Sequence, residues 1–461
     1  MKKLIVLFSI FSVLLISGCT GTSGGTQNPP KECACEEKAW VYPEGTKCLE
    51  KAVAELKCIE CGKVFETKEE VKPHNKVVEE KEPTCVEKGY YLDYCSDCDY
   101  RFQLDYEATG VHQLQYEIVR NATDDHYGIK QQKCETCDLS GDYIRYVNNG
   151  YMDHGKLSVV GPDLVDANGD PFQLIGISTH GLQWFGHYVN FSTIDALHNE
   201  FGINVLRLSM YTAEGGYCEA DATKKEHLYQ TVAEGIRIAT ALDMYVIVDW
   251  HMVGAEDPND KNPLYYKEEA MEFFGRITKE FKDYNNVLYE IMNEPNGATT
   301  WEQCRSYAKA VIPVIRENTD AIVLVGNPHW SANLNVVMQK PLDEFSNIMY
   351  TYHFYASDHF QTYQVATAYD KGFPVFISEH GAMNSAGDGA MSIPNIEKWY
   401  QVLDSRNISY VAWNLSNSKG SASILQHGTP SLVDFSDAVL KEWGVWYKAW
   451  VRKKFNFPGQ D

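Results

Sequence analysis

From about Met152 onward the chain alternates between short apolar runs and amphipathic stretches, and this alternation limits the fold more than any other feature. Eight runs read as strands: "FQLIGIS", "INVLRLSMY", "YVIVDWH", "NVLYEIMNE", "AIVLVG", "IMYTYHFY", "PVFISE" and "SYVAWNLS". They are nearly continuous in aliphatic and aromatic residues, the pattern of strands covered on both faces. Stretches such as "YYKEEAMEFFGRITKEFKDY" and "TWEQCRSYAKAVIPVIREN" lie between them with helical periodicity, and "DAVLKEWGVWYKAWVRKKF" adds a last helix. Eight strands alternating with helices over roughly 300 residues predict an α/β fold, a parallel sheet closed into a (β/α)8 TIM barrel over residues 151–461. An open doubly wound sheet would want a Gly-rich phosphate loop after an early strand, and "GISTHGLQ" is not one. Ahead of the first strand, "KLSVVGPDLVDANGDPFQL" reads as a hairpin with Asn168-Gly169 at its turn.

In such a barrel the chemistry sits at the C-terminal strand ends. There the sequence presents Arg207, His251, Asn293 with Glu294, His353 with Tyr355, Glu379 and Trp413. A single Glu closing an apolar run reads as a solvated strand end. Two, on the fourth and seventh strands and among Arg, His, Asn, Tyr and Trp, read as a reaction centre. Paired carboxyls suit glycoside hydrolysis, in which one protonates the leaving oxygen and the other attacks the anomeric carbon or activates water. Arg207 is placed to keep Glu379 ionised, Asn293 to bond a sugar 2-hydroxyl, and Trp413 to offer a flat face to a pyranose ring. Asn293 and Glu294 are adjacent and would nominally face opposite ways, so the backbone must twist for both to reach one sugar. Pro295 ends ladder pairing just after them. The net charge of −22 excludes nucleic acid as a partner and disfavours acidic polymers, which leaves a neutral substrate.

The motifs "NVLRLSMY", "VIVDWH", "YEIMNEP", "YHFYA", "ISEHG" and "VAWNLS" resemble those of glycoside hydrolase family 5, and "GISTHGLQW" resembles its bacterial endo-1,4-β-glucanase subgroup. The resemblance covers residues 153–455. It implies a retaining endo-acting hydrolase of β-1,4-linked glucans, with Glu294 as acid/base, Glu379 as nucleophile and no catalytic cofactor. It also implies substrate contacts from Arg207, His251, Asn293, His353, Tyr355 and Trp413, and from His180, Trp184 and Tyr211 in the cleft. Two departures stand out. His380 follows the nucleophile where the family has an aromatic residue. After Trp413, Asn417 replaces an acid, Lys419 sits one place late and Gly420 replaces a Glu, which bears on glycone affinity. A mannan- or xylan-active relative, or a surface glycan-binding protein with a weakly active barrel, is the alternative.

The N-terminus reads as an address. Lys2 and Lys3 precede a short apolar stretch, Leu4 to Ile16, and then "ISGC". That stretch is too short to span a membrane and fits a signal peptide over residues 1–18. The ending resembles a bacterial lipoprotein box, which implies lipidation of Cys19 and attachment to a membrane at the cell surface. Residues 19–32 form a Gly/Ser/Thr/Pro tether.

Ten of the 13 cysteines fall in residues 33–150, and their spacing repeats. Cys48, Cys58 and Cys61 are followed by His74; Cys85, Cys95 and Cys98 are followed by His112. A third copy has Asp124 where a Cys is expected, then Cys134 and Cys137, with His154 as a distant fourth candidate. Repetition at about 37–39 residues signals tandem small modules. The region resembles zinc-ribbon-like repeats of bacterial surface proteins. Three Cys and one His per unit suit a closed structural zinc site, whereas an exported chain also favours disulfides. The spacing leaves both open.

Overall fold

The computed structural model describes residues 35, 37–110, 112, 114–120, 128–146 and 149–455. The expected signal peptide, Cys19, the tether and Asp124 lie outside the described residues. The chain forms two compact units, 1–110 and 111–461.

Each Cys-rich repeat is a three-stranded antiparallel sheet. The first joins β1 (Lys38–Val41), β2 (Lys51–Cys58) and β3 (Val64–Val71), and the second joins β4 (Lys76–Lys81), β5 (Gly89–Cys95) and β6 (Arg101–Tyr106). The third joins β7 (Leu114–Arg120), β8 (Gly128–Cys134) and β9 (Ser140–Tyr146). These sheets correct the ligand sets expected from spacing. Cys48 and His74 lie with Cys95 and Cys98, and not with Cys58 and Cys61. Cys58 is disulfide-bonded to Cys35, and Cys61 is also disulfide-bonded. Cys95 and Cys98 accordingly do not lie with Cys85. The reason is the strand between the cysteines of one repeat. Cys85 precedes β5 and Cys95 ends it, and seven extended residues put about 20 Å between the two ends, far more than one ion spans. His154 is not a ligand either. It bonds Asp166 at 2.9 Å and stacks on Phe172.

The barrel strands are β12 (Ile175–Thr179), β13 (Val205–Tyr211), β14 (Tyr245–His251), β15 (Val287–Glu290), β16 (Val323–Val325), β17 (Ile348–Tyr355), β18 (Val375–Gly381) and β19 (Tyr410–Leu415). All are parallel, and β12 pairs with β19 to close the ring. All eight expected strands are present. The helix Trp301–Arg316 starts where Thr300 and Gln303 form a capping box, which satisfies two otherwise orphaned N–H groups. The hairpin before the barrel pairs β10 (Ser158–Val160) with β11 (Asp163–Val165), so Gly161-Pro162, rather than Asn168-Gly169, makes its turn. Asn168-Gly169 sits in a second turn, spanned by a bridge from Val165 to Pro171, where Gly169 takes φ +86. The residues Leu157, Leu164 and Phe172 pack against the inward residues Leu174, Val205, Tyr245 and Ile247, plugging one end of the barrel. The opposite end is left for polar groups.

Candidate active site

Strand alternation lines the barrel interior. On β13 Val205 joins the apolar plug, and the next inward positions are Arg207, Ser209 and Tyr211. On β14 the sequence Tyr245, Ile247, Asp249, His251 climbs in the same way. Beside them β15 contributes Leu288 and then Glu290. The polar residues therefore form a layer directly above the apolar one.

Arg207 is fully buried and organises that layer. Its Nε donates to Glu290 Oε2 at 2.7 Å, and its outer nitrogens reach Asp249 at 3.1 Å, Asn293 Oδ1 at 2.7 Å and Glu379 Oε2 at 3.4 Å. The guanidinium charge is thus shared by three carboxylates, and Glu379 is the most distant of them. Burial pushes the Glu290 carboxyl up, but Arg207 and His353 outweigh it and hold it down to about 2. Burial drives His251 down to about 3, with Arg207 adding to the effect, so its ring is neutral. Its Nδ1 lies 2.6 Å from Asp249, which leaves Nε2 as the acceptor for Asn293 Nδ2 at 3.3 Å.

The two glutamates close this layer. The β15 ladder stops at Glu290, and the next four residues climb out of it. Asn293 N–H then donates to Trp250 O and Glu294 N–H to Met252 O, which turns both side chains into the site. On β18 a register shift between Ile377 and His380 re-aims Glu379 inward and sends His380 outward. Tyr355 donates to Glu379 Oε1 at 2.8 Å, while His353 Nδ1 sits 2.8 Å from Glu294 Oε1. His353 Nε2 bonds Ser378, whose hydroxyl donates to Glu290. Burial opposes charge on His353, yet its bonds to Glu290 and Glu294 raise it to about 9. One carboxylate oxygen of Glu294 and one of Glu379 lie within 4.8 Å of each other. That separation suits a nucleophile and an acid acting on one bond, and is short of the roughly 6.5–9.5 Å that seats an attacking water between them.

Aromatic rings flank the carboxyls. His180, Trp184, Tyr211, His251 and Trp413 form one wall, with ring centroids between 4.2 Å (Tyr211 to His251) and 6.2 Å (His180 to Tyr211). Trp184 is exposed, as a sugar-stacking face must be. On the other side a cavity of about 450 Å³ is lined by Glu294, His329, Trp330, His353, Tyr355, His359 and Ser385 among others.

Residues 165–419 match the cellulase family model, glycosyl hydrolase family 5. This chain belongs to glycosyl hydrolase family 5. It is 45% identical over 297 residues to endoglucanase A of Butyrivibrio fibrisolvens, covering 64% of this chain and 68% of that one. With the endoglucanase of Clostridium saccharobutylicum it shares 39% over 298 residues, 64% of each chain. The catalytic domain of Thermobifida fusca endoglucanase Cel5A, solved in complex with cellotetraose, superposes with a TM-score of 0.62 at 36% identity, covering 66% of this chain and 99% of that one. As a family 5 glycoside hydrolase it needs no cofactor for catalysis.

Of the expected site residues, Glu294, Glu379, Arg207, Asn293, His251, His353 and Tyr355 are joined in one hydrogen-bonded network, and His180, Trp184, Tyr211 and Trp413 form the adjoining aromatic wall. Lys419 is exposed on the loop after β19 and is not part of that network. The loop is held from below by Lys441, whose Nζ donates to the carbonyls of Ser418, Lys419 and Gly420. His380 is a packing residue. It is buried, bonds Tyr400 and the Val411 carbonyl, and stacks on Phe354. Glu290, Asp249 and Trp330 were not foreseen. The first two sit below a strand-end polar group, Asp249 one inward position under His251 and Glu290 four residues before Glu294, a signal that period-two reading of these strands contains. The third lies in "GNPHWS" just past β16, an aromatic residue in a strand-end loop.

Proposed function

We propose that this chain cleaves internal β-1,4-glucosidic bonds of cellulose or related β-glucans with retention of anomeric configuration. The observation that carries the reading is the Glu294–Glu379 pair, with oxygens within 4.8 Å and each carboxyl held by its own partner. The endoglucanase relatives and the cellotetraose-bound neighbour support the substrate class. In the first step a Glu379 oxygen bonds the anomeric carbon as the glycosidic bond breaks, and Glu294 gives its proton to the leaving oxygen. In the second, Glu294 takes a proton from water, the water oxygen bonds the anomeric carbon, and Glu379 leaves. Arg207, fixed by Glu290 and Asp249, lies beside the nucleophile throughout. NMR of the product formed from a soluble cello-oligosaccharide tests this: the β-anomer should appear first. An α-anomer as the first product would make Glu379 a base and overturn the assignment.

The proposal extends to location. The sequence "ISGC" supports lipidation at Cys19, which would hold the enzyme at a membrane surface within reach of polymer outside the cell. Among the described residues no helix is long and apolar enough to cross a membrane. Cys19→Ala should therefore move the enzyme from the membrane fraction to the soluble fraction. Unchanged fractionation would rule the lipid anchor out.

A further inference from the structure

Three separate pieces of chain meet at one end of the first two sheets. Cys48 precedes β2, and the neighbouring Leu49 N–H donates to Lys72 O just past β3. His74 lies in the link from β3 to β4. Cys95 and Cys98 bracket the turn from β5 to β6, and that turn is fastened to the link by Ser96 N–H donating to Asn75 O at 3.0 Å. The result is four ligand atoms from three segments, all within 4.8 Å of one another.

The distances suit a particular kind of occupant. Cys48 Sγ and Cys95 Sγ are 3.6 Å apart, and Cys98 Sγ lies 3.3 Å from His74 Nδ1. Around a tetrahedral zinc ion the corresponding edges are about 3.8 Å between two sulfurs and about 3.6 Å between sulfur and nitrogen. The Asp97 N–H points at Cys95 Sγ at 3.4 Å, a donor that suits a thiolate better than a thiol. His74 is held in place by stacking on Tyr100, with centroids 4.5 Å apart.

Disulfides explain the cluster less well. Cys48, Cys95 and Cys98 are three free thiols, and three thiols cannot all pair. Disulfide formation also gives the imidazole no role, whereas three Cys and one His complete a four-coordinate structural site. Among the described residues, no histidine joins the Cys35–Cys58 pair in the first sheet. The unit also needs a crosslink. Its buried apolar residues among those described are Ala54, Cys58, Cys85, Leu92 and Cys95, while Val53, Val78 and Phe102 are exposed. So small a core is seldom stable without staples.

We propose that Cys48, His74, Cys95 and Cys98 bind one structural zinc ion that clasps the sheet β1–β3 to the sheet β4–β6. Soft thiolates with one imidazole select zinc over harder divalent ions, and the closed set of four leaves no open position for catalysis. The site is independent of the reading of the barrel.

The test uses the full chain. Elemental analysis should show that His74→Ala and Cys98→Ser each lose about one zinc equivalent per chain relative to the unaltered protein, while hydrolysis of soluble cellulose is retained. His74→Cys, which keeps four ligands, should retain that zinc. Because the losing variants can also lose their fold, alkylation of the unaltered protein gives a second reading. Cys48, Cys95 and Cys98 should resist alkylation as purified, and all three should react after chelation without reductant. Equal zinc in the His74→Ala variant, or thiols that react only after reduction, would overturn the proposal.

Discussion

Glu294 and Glu379 differ in what holds them, and that difference separates their roles. Tyr355 and Arg207 both donate to Glu379, one to each carboxyl oxygen, and fix the group where it can attack. Glu294 is held on one oxygen by His353 and lies against the cavity beside Trp330. Glu379→Ala should accordingly abolish turnover, by about 10⁴-fold or more, and added azide should restore an inverted glycosyl azide product by standing in for the nucleophile. Glu294→Ala should lower activity on cellulose far more than on aryl glycosides, whose leaving groups need little protonation. Steady-state kinetics on the two substrate types would show it; equal losses on both would contradict the acid role. The catalytic pair was legible in the sequence because a Glu at the end of an apolar strand is rare without a reason. Glu290 and Asp249 were less so, since the runs "NVLYEIMNE" and "YVIVDWH" already had a more obvious polar residue at their ends. Their importance comes from Arg207, which needs buried counter-charges that linear sequence does not pair.

At the scale of the element, the barrel strands were legible because a parallel strand is covered on both faces and so reads as a continuous apolar run. The sheets of the repeats were not, because strands such as β3, "VFETKEEV", are mostly exposed and carry charges on both faces. Across β5 a spacing of ten residues holds Cys85 and Cys95 apart, whereas the same spacing in a loop lets two cysteines meet. Loops past the strand ends were equally opaque. After β16, His329, Trp330 and Ser331 take φ of 61, 55 and 54, three left-handed residues in a row without a glycine. Such a run persists only where its surroundings impose it. Here Trp330 N–H donates to Pro295 O, and the Ser331 hydroxyl donates to Asn293 O at 2.6 Å, tying the turn to the segment that carries the acid. The turn leaves the Trp330 ring exposed beside Glu294. Trp330→Ala should raise KM for longer cello-oligosaccharides by about tenfold and leave kcat nearly unchanged, the signature of lost uniform binding. An unaltered KM across chain lengths would show that the ring does not meet substrate.

For the whole molecule, the buried histidines set the pH at which the barrel is most stable. Burial lowers His198, His251 and His380 to about 3 and His180 to about 4. Each is neutral in the fold and protonated in the unfolded chain below its ordinary value near 6.5, so each withdraws stability as pH falls below about 6.5. Glu290, held at about 2, adds a further loss below about 4.5. Asp153, Glu214, Asp243, Asp249 and Asp260 work the other way, since burial raises each of them, Asp243 and Asp260 to about 6, and their contribution grows toward acid. Against them stand the buried imidazoles, Glu290 and the exposed carboxylates that ion pairs hold low, and the acid side declines. On the alkaline side His353 decides. Burial opposes its charge, but the bonds to Glu290 and Glu294 raise it to about 9, so its contribution is complete below about 6.5 and is lost as pH rises through 9. The net charge of −22 adds self-repulsion in the same direction, because it grows with pH. The melting temperature of the full chain should therefore peak between about pH 6 and 7 and fall on both sides. Replacing the raised histidine separates the two limbs. His353→Gln should lower the peak and flatten the decline between about pH 7 and 9, while leaving in place the decline from about pH 6.5 to 4.5, which belongs to the other buried imidazoles. Scanning calorimetry of both proteins across this range is the measurement, and an alkaline limb of unchanged steepness in the variant would mean that His353 is not the group that titrates there.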